Sequence, residues 1–287
     1  MGWFGAALAA TVAYGLLQAG NKLAATRGIA PLRLVFAAGV TVALLAAGAL
    51  LATGVPAALA PQTLVYAAAN SVLFTLSSVL LLLALRRVPA AVALPIHKID
   101  AVLVIGAGAL AFGERPTGLQ WLGVATGLAV VVALTWPQRR GEGEARKIDL
   151  TGVGLAAAAA VCTAGSMTVG RLASRAGSVL PFVAATYALT AALAFAGLKL
   201  LPLREESAEQ ADAWRFGVAI GVLNFVGYLL LLRAFALGPM ALVQAIFASS
   251  MLIAVGLTAW RLREPLTARH VAAIACSLGA ALLIRAG

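Results

Sequence analysis

Apolar runs of about 20 residues recur along almost the whole chain, each long enough to cross a hydrocarbon core roughly 30 Å thick. They predict helices over residues 3–25, 31–53, 62–85, 90–112, 117–136, 150–172, 180–201, 213–236, 239–260 and 267–285. The gaps hold helix breakers: Pro31, Pro56 with Pro61, Pro89, Pro116, Pro181, Pro202 and Pro239. Proline is tolerated at a helix start because its missing N–H has no partner there anyway. One gap differs. Residues 137–149, PQRRGEGEARKID, are polar throughout and lie near the midpoint. They read as a linker between 1–136 and 150–287, each with five predicted helices.

The two halves resemble each other. A shift of 150 residues brings Pro31 onto Pro181, Pro89 onto Pro239, Gly106 onto Gly256, Glu114 onto Glu264 and Thr117 onto Thr267. The Pro and Glu matches weigh most, because those residues are scarce here. Five crossings is an odd number, so the second copy must enter the bilayer from the opposite side. The expected fold is therefore an all-α integral membrane protein of ten transmembrane helices, built as two inverted five-helix repeats. Inverted repeats with a site near the midplane are a common plan of secondary transporters.

Composition agrees. Hydrophobic residues make up 62% of the chain and charged residues 11%, with a mean hydropathy of +1.00. A soluble domain is about half apolar and a quarter charged. The net charge of +11 sits mainly in short gaps between apolar runs, with no basic face to follow phosphates. It therefore argues for topology rather than for nucleic acid. The gaps after the odd-numbered helices hold most of the Lys and Arg. By the positive-inside rule both termini face outward and the linker is cytoplasmic. Arg115, Arg171 and Arg175 count among the loop cations of the opposite side. Cys162 and Cys276 lie in apolar runs without metal or redox spacing. The first run begins at Trp3 with no Lys or Arg before it, so no cleaved signal peptide is expected.

Polar residues within the runs carry the candidate chemistry, since a charge at the centre of a spanning helix costs about 2.5–3.5 kcal/mol on insertion scales. His97, Lys98 and Asp100 form the densest such cluster, near the middle of the predicted fourth helix. Lys98 suits an anionic group, and His97 or Asp100 suits proton exchange. The plainer reading is an internal Lys98–Asp100 pair, although residues two apart face different ways. Tyr14, Gln18 and Asn21 share a face of the first helix. Asn70, Phe74 and Ser77 share one on the third, Asn224 and Tyr228 on the eighth, and Gln244, Phe247 and Met251 on the ninth. Thr163, Ser166 and Met167 lie on the sixth. Each face either lines a cavity or forms a hydrogen-bonded seam between helices. The candidate substrate-binding set is Lys98, His97, Asp100, Tyr14, Gln18, Asn21, Asn70, Asn224, Tyr228 and Gln244. Glu114 and Glu264 read as helix-start acids stabilised by the dipole. No Walker loop, G-x-S-x-G or H-E-x-x-H is present, and no metal site is expected.

The segments FGERPTGLQWLGVATGLAVVVAL (112–134) and RLREPLTARHVAAIACSLGAALLI (261–284) each place Glu, Pro and Thr before a Gly/Ala-rich helix. With the tandem five-helix layout, they resemble the EamA-type members of the drug/metabolite transporter superfamily. VPAAVALPIHKID (88–100) is similar to the PI-x-K segment of short single-repeat relatives. The resemblance implies ten helices around a central cavity, no bound cofactor, and often export of amino acids or related metabolites. Relatives that carry aromatic amino acids line that cavity with aromatic side chains. Here aromatics are only 7%, and Trp3, Trp121, Trp136, Trp214 and Trp260 fall near predicted helix ends, as an interfacial belt explains, so an aromatic substrate is not expected.

The expected function is secondary transport, in the export direction, of a small polar metabolite by alternating access. An amino acid or organic anion is the first candidate substrate. A carrier for drug-like or cationic compounds, a membrane-embedded enzyme and a channel are the alternatives. Expected partners are the substrate, membrane lipid and, as a coupling ion, the proton, in a monomer or homodimer in a bacterial-type inner membrane. Lys98→Ala should weaken substrate transport while leaving the protein folded and inserted; unchanged transport kinetics would reject the role given to Lys98.

Overall fold

The computed structural model describes residues 2–55, 60–88, 96–135, 149–177, 179–200, 209–262 and 268–286. Most of the linker (137–148), Pro56, Pro89, Trp136, Pro202, Glu264 and Thr267 lie outside them. The described residues form helices and connecting turns, without strands. The helices are α1 (Trp3–Thr26), α2 (Pro31–Thr53), α3 (Pro61–Arg87), α4 (Ile99–Ala111), α5 (Gly118–Thr135) and α6 (Leu150–Arg175). They continue with α7 (Val179–Leu200), α8 (Glu209–Leu237), α9 (Met240–Ala248), α10 (Ser250–Leu262) and α11 (Ala268–Ala286). Six of them, α1, α2, α3, α6, α7 and α8, are long and apolar enough to cross a membrane.

Local chemistry sets the ends. Pro31 and Pro61 open α2 and α3 at positions where no N–H partner is needed. Gly54 closes α2 in the left-handed region at φ 64°. The Asp149 carboxylate accepts from the Thr151 N–H at 2.9 Å and caps α6. Every predicted helix has a helical counterpart, with two differences. The predicted ninth helix is two pieces, α9 and α10, interrupted at Ser249. The fourth is interrupted at Lys98, so α4 begins at Ile99 and Lys98 stands in the turn before it rather than mid-helix. The two interruptions fall one residue from equivalence under the 150-residue shift. Their backbones match, at φ −70°, ψ −4° for Lys98 and φ −70°, ψ −8° for Ser249.

Packing crosses between the halves. α1 lies against α8, and α3 against α6; α2 meets α8, and α3 meets α7. Both α2·α7 and α5·α11 join equivalent helices, and α4 meets α9. Exchanging the halves maps α1·α8 onto α3·α6 and α2·α8 onto α3·α7, and maps α2·α7 and α5·α11 onto themselves. Small residues make the crossings close. A Cβ at Gly217 would run into Ala37, and one at Gly221 would lie 2.6 Å from the Thr41 Cβ and 2.9 Å from the Ala38 carbonyl. Helices in lipid associate through such small-residue contact because apolar area alone gives them no drive to pair. Gly221→Val should therefore cost about 1–3 kcal/mol. The measurement is the thermal unfolding midpoint of the detergent-purified protein, and an unchanged midpoint would mean that α2 and α8 do not meet at this seam.

Candidate functional site

Polar and aromatic side chains from both halves converge inside the bundle. On α1 the Tyr14 hydroxyl donates to Asn224 Oδ1 of α8 at 3.1 Å. One turn on, Gln18 Nε2 donates to Ser250 Oγ of α10 at 3.1 Å. On α3, Asn70 Nδ2 donates to the Ser166 carbonyl of α6 at 2.8 Å and to the Tyr228 hydroxyl of α8 at 3.3 Å. Gly170 on α6 leaves room for that hydroxyl, which lies 3.2 Å from where its Cβ would be. Tyr187 of α7 meets the Tyr228 ring edge-on at 5.8 Å, and Phe247 of α9 meets Tyr14 in the same way at 4.8 Å. Phe182 and Phe74 flank Tyr228 and Tyr187. Tyr14, Tyr187 and Tyr228 thus meet in one core cluster. It is the tyrosines and phenylalanines, each needing little sequence signal, that line the interior.

Buried polar atoms lacking a partner in this region are informative. Gln244 on α9 is 2% exposed and its Oε1 accepts nothing. On α7, Thr186 Oγ1 and Thr190 Oγ1 are likewise without partners. Such groups ordinarily find one, from protein, water or ligand.

The His97 group adjoins this cluster along α6. His97 Nε2 lies 3.1 Å from Thr163 Oγ1, and Thr163 Oγ1 lies 2.6 Å from Ser77 Oγ. Thr163 is one turn from Ser166, so the two networks are neighbours on α6. Asp100 is buried in the first turn of α4, where the helix N-terminus favours a carboxylate; its Oδ1 accepts from the Ala101 N–H at 2.8 Å. Lys98 is half-buried, and among the described residues no ion pair joins it to Asp100. Asn21 is exposed, apart from the Tyr14–Asn224 contact. Ser77 also donates to the Ala159 carbonyl at 2.9 Å, and Ser71 to the Thr186 carbonyl at 2.7 Å, so the hydroxyls of α3 form seams with α6 and α7.

Two charged residues depart from their sequence reading. Arg171 is not a loop cation: it is 1% exposed within α6. Glu114 does not serve the helix that follows it. Its Oε1 accepts from the Met240 N–H at 2.6 Å and its Oε2 from the Ala241 N–H at 2.9 Å, capping α9 in the other half of the chain. Arg171 Nη2 lies 3.3 Å from Glu114 Oε1, and Arg171 Nη1 donates to the Gly238 carbonyl at 2.7 Å. Gly108 permits this approach, since a Cβ there would sit 2.8 Å from Glu114 Oε2. The sequence signal for Arg171 was its place inside an apolar run; that for Glu114 was its repetition. Tyr187 and Arg171 were absent from the candidate set, Tyr187 because an isolated tyrosine on an alanine-rich helix carries no spacing to read.

A cleft of about 310 Å³ opens beside this pair at one end of the bundle, lined by Arg115, Pro116, Gln120, Arg175 and Pro239 among others. Its lining shares no residue with the central cluster, where a cavity was expected, although Arg171 follows Gly170, which adjoins the Tyr228 hydroxyl.

Residues 150–286 match the profile of the EamA-like transporter family. No match is found among curated proteins. Among solved structures, one titled "Crystal structure of protein" is 23% identical, with a TM-score of 0.79 over 97% of this chain and 96% of that one. At that identity it shows the fold alone.

Asn70 ties three helices through one amide. Asn70→Ala should lower stability by on the order of 1 kcal/mol, by leaving the Ser166 carbonyl and Tyr228 hydroxyl short of a donor. The midpoint of thermal unfolding checks this; no change would mean that the amide is not shared as described.

Proposed function

Because the chain carries an EamA-like transporter domain over residues 150–286, we propose that it is a secondary transporter exporting a small polar metabolite by alternating access. The observation that carries this is the buried polar and aromatic cluster between the halves, in which Gln244 Oε1 has no partner. A buried amide oxygen left unpaired is costly, and a substrate N–H or ammonium would satisfy it. Tyr14, Gln18, Asn21, Asn70, Asn224, Tyr228 and Gln244 form the substrate-facing set, with Tyr187 added. Lys98 binds an anionic group of the substrate, and His97 and Asp100 are the groups for proton coupling.

Two features support a carrier over a channel or an enzyme. Several contacts between the halves pair under their exchange, α1·α8 with α3·α6 and α2·α8 with α3·α7, as a two-fold relation between 1–136 and 150–287 would give. In the proposed ten-helix arrangement, five crossings in each half would put that axis in the membrane plane and invert the halves. Both halves also interrupt their fourth helix at matching backbone angles, and discontinuous helices are where secondary transporters build their sites. Arg171 leaves the count of loop cations, which strengthens termini outside and the linker in the cytoplasm of a bacterial-type inner membrane.

An amino acid or organic anion remains the first substrate class. The convergence of Tyr14, Tyr187 and Tyr228 favours one second reading, export of a cationic compound, since ring faces attract cations.

The test is saturable counterflow in proteoliposomes loaded with amino acids, organic acids or cationic compounds. Gln244→Ala should raise the KM of the accepted substrate about tenfold, roughly 1.4 kcal/mol, with little change in folding. Absence of counterflow with every class, or an unaltered KM in Gln244→Ala, would reject the central site.

A further inference from the structure

The cleft at the end of the bundle is built for negative charge, independently of the central cluster. Its walls carry three arginines, Arg115, Arg171 and Arg175, against one carboxylate, Glu114. Arg115 and Arg175 are exposed. Arg171 is 1% exposed, and its Nε makes no hydrogen bond although both terminal nitrogens are engaged. The floor is already occupied by a carboxylate that belongs to the protein. Glu114 takes up the first two N–H groups of α9 and an arginine Nη, the donors that hold free anions at helix N-termini elsewhere.

We propose that this cleft binds a carboxylate- or phosphate-bearing small molecule, with Arg115 and Arg175 at its mouth, Arg171 and the start of α9 at its floor, and Glu114 as a tethered competitor for that floor. It is a second site, distinct from the central one, and it deepens the transport reading on which its consequence rests. All nine residues of α9 are buried. The helix runs from the Glu114 carboxylate to Gln244 and Phe247 and ends at the break at Ser249. An anion that takes the floor releases Glu114, and with it the tie between the first half and α9. Occupancy of the cleft is thereby coupled to the substrate-facing residues of that helix.

The experiment is thermal unfolding of the purified full-length protein titrated with succinate, with inorganic phosphate as a second arm and sodium chloride at matched ionic strength. The wild type should show a saturable rise in midpoint with one or both anions beyond the chloride control. A response to succinate alone assigns carboxylates, and one to phosphate alone assigns phosphate esters. In the double variant R115Q/R175Q, altered only at exposed positions, the saturable rise should disappear. In E114Q, with the competing charge removed, the half-saturating concentration should fall about tenfold; if E114Q does not fold, the double variant decides. No anion effect in the wild type, or an equal effect in R115Q/R175Q, overturns the proposal. Saturable counterflow by a wild type that shows no anion effect would sink this cleft alone and leave the central site standing.

Discussion

A polar group inside a bilayer has no water to fall back on, and the whole interior of this protein is arranged around that constraint. Several of its buried amides, hydroxyls and charges find partners on other helices, repeatedly on helices of the other half. Tyr14 reaches Asn224, Gln18 reaches Ser250, Asn70 reaches Ser166 and Tyr228, and Glu114 reaches Met240 and Ala241. The same groups that would be penalised in lipid therefore bind one half to the other. Close small-residue crossings, such as Gly221 of α8 against α2, bring the backbones near enough for these short side chains to meet.

Within that framework α9 is a connecting part. It is short, wholly buried, and held at its start by a residue distant in sequence. It presents Phe247 to Tyr14 and carries an unpaired Gln244 oxygen. The break at Ser249 separates it from α10; in the transport proposed above, this break would let α9 move without carrying α10 as a rigid continuation. The break at Lys98 would give α4 the same freedom in the first half. Movements of small, pinned segments around a polar centre are a physical basis for alternating access that needs no large rearrangement of α1, α2, α3, α6, α7 and α8.

Much of the fold was legible in the sequence because lipid imposes length and apolarity on a helix directly. Pro31 and Pro61 marked starts that the structure reproduces. The interruptions at Lys98 and Ser249 were not legible, because neither position carries Gly or Pro, and the polar residues His97, Lys98 and Asp100 read as site chemistry rather than as a break. At the site, helical spacing placed Tyr14 with Gln18 and Asn224 with Tyr228, and each pair contributes to the interior. Spacing within one helix cannot name a partner on another. That is why the roles of Glu114 and Arg171, set by an encounter between residues 57 apart in sequence, came only with the fold. Tyr187 was hidden for the same reason.

The central claim is that a buried polar centre between the halves is opened alternately to each side of the membrane. Ser166, in the middle of α6 beside Asn70, reports on it with little change in size when replaced by cysteine. The measurement is modification of Ser166→Cys, in a Cys162→Ser, Cys276→Ser background, by a membrane-impermeant maleimide applied separately to either face of oriented vesicles. Labelling from both faces, slowed by a transported substrate, is the predicted result. Labelling from one face only, unaffected by any transported compound, would contradict the account.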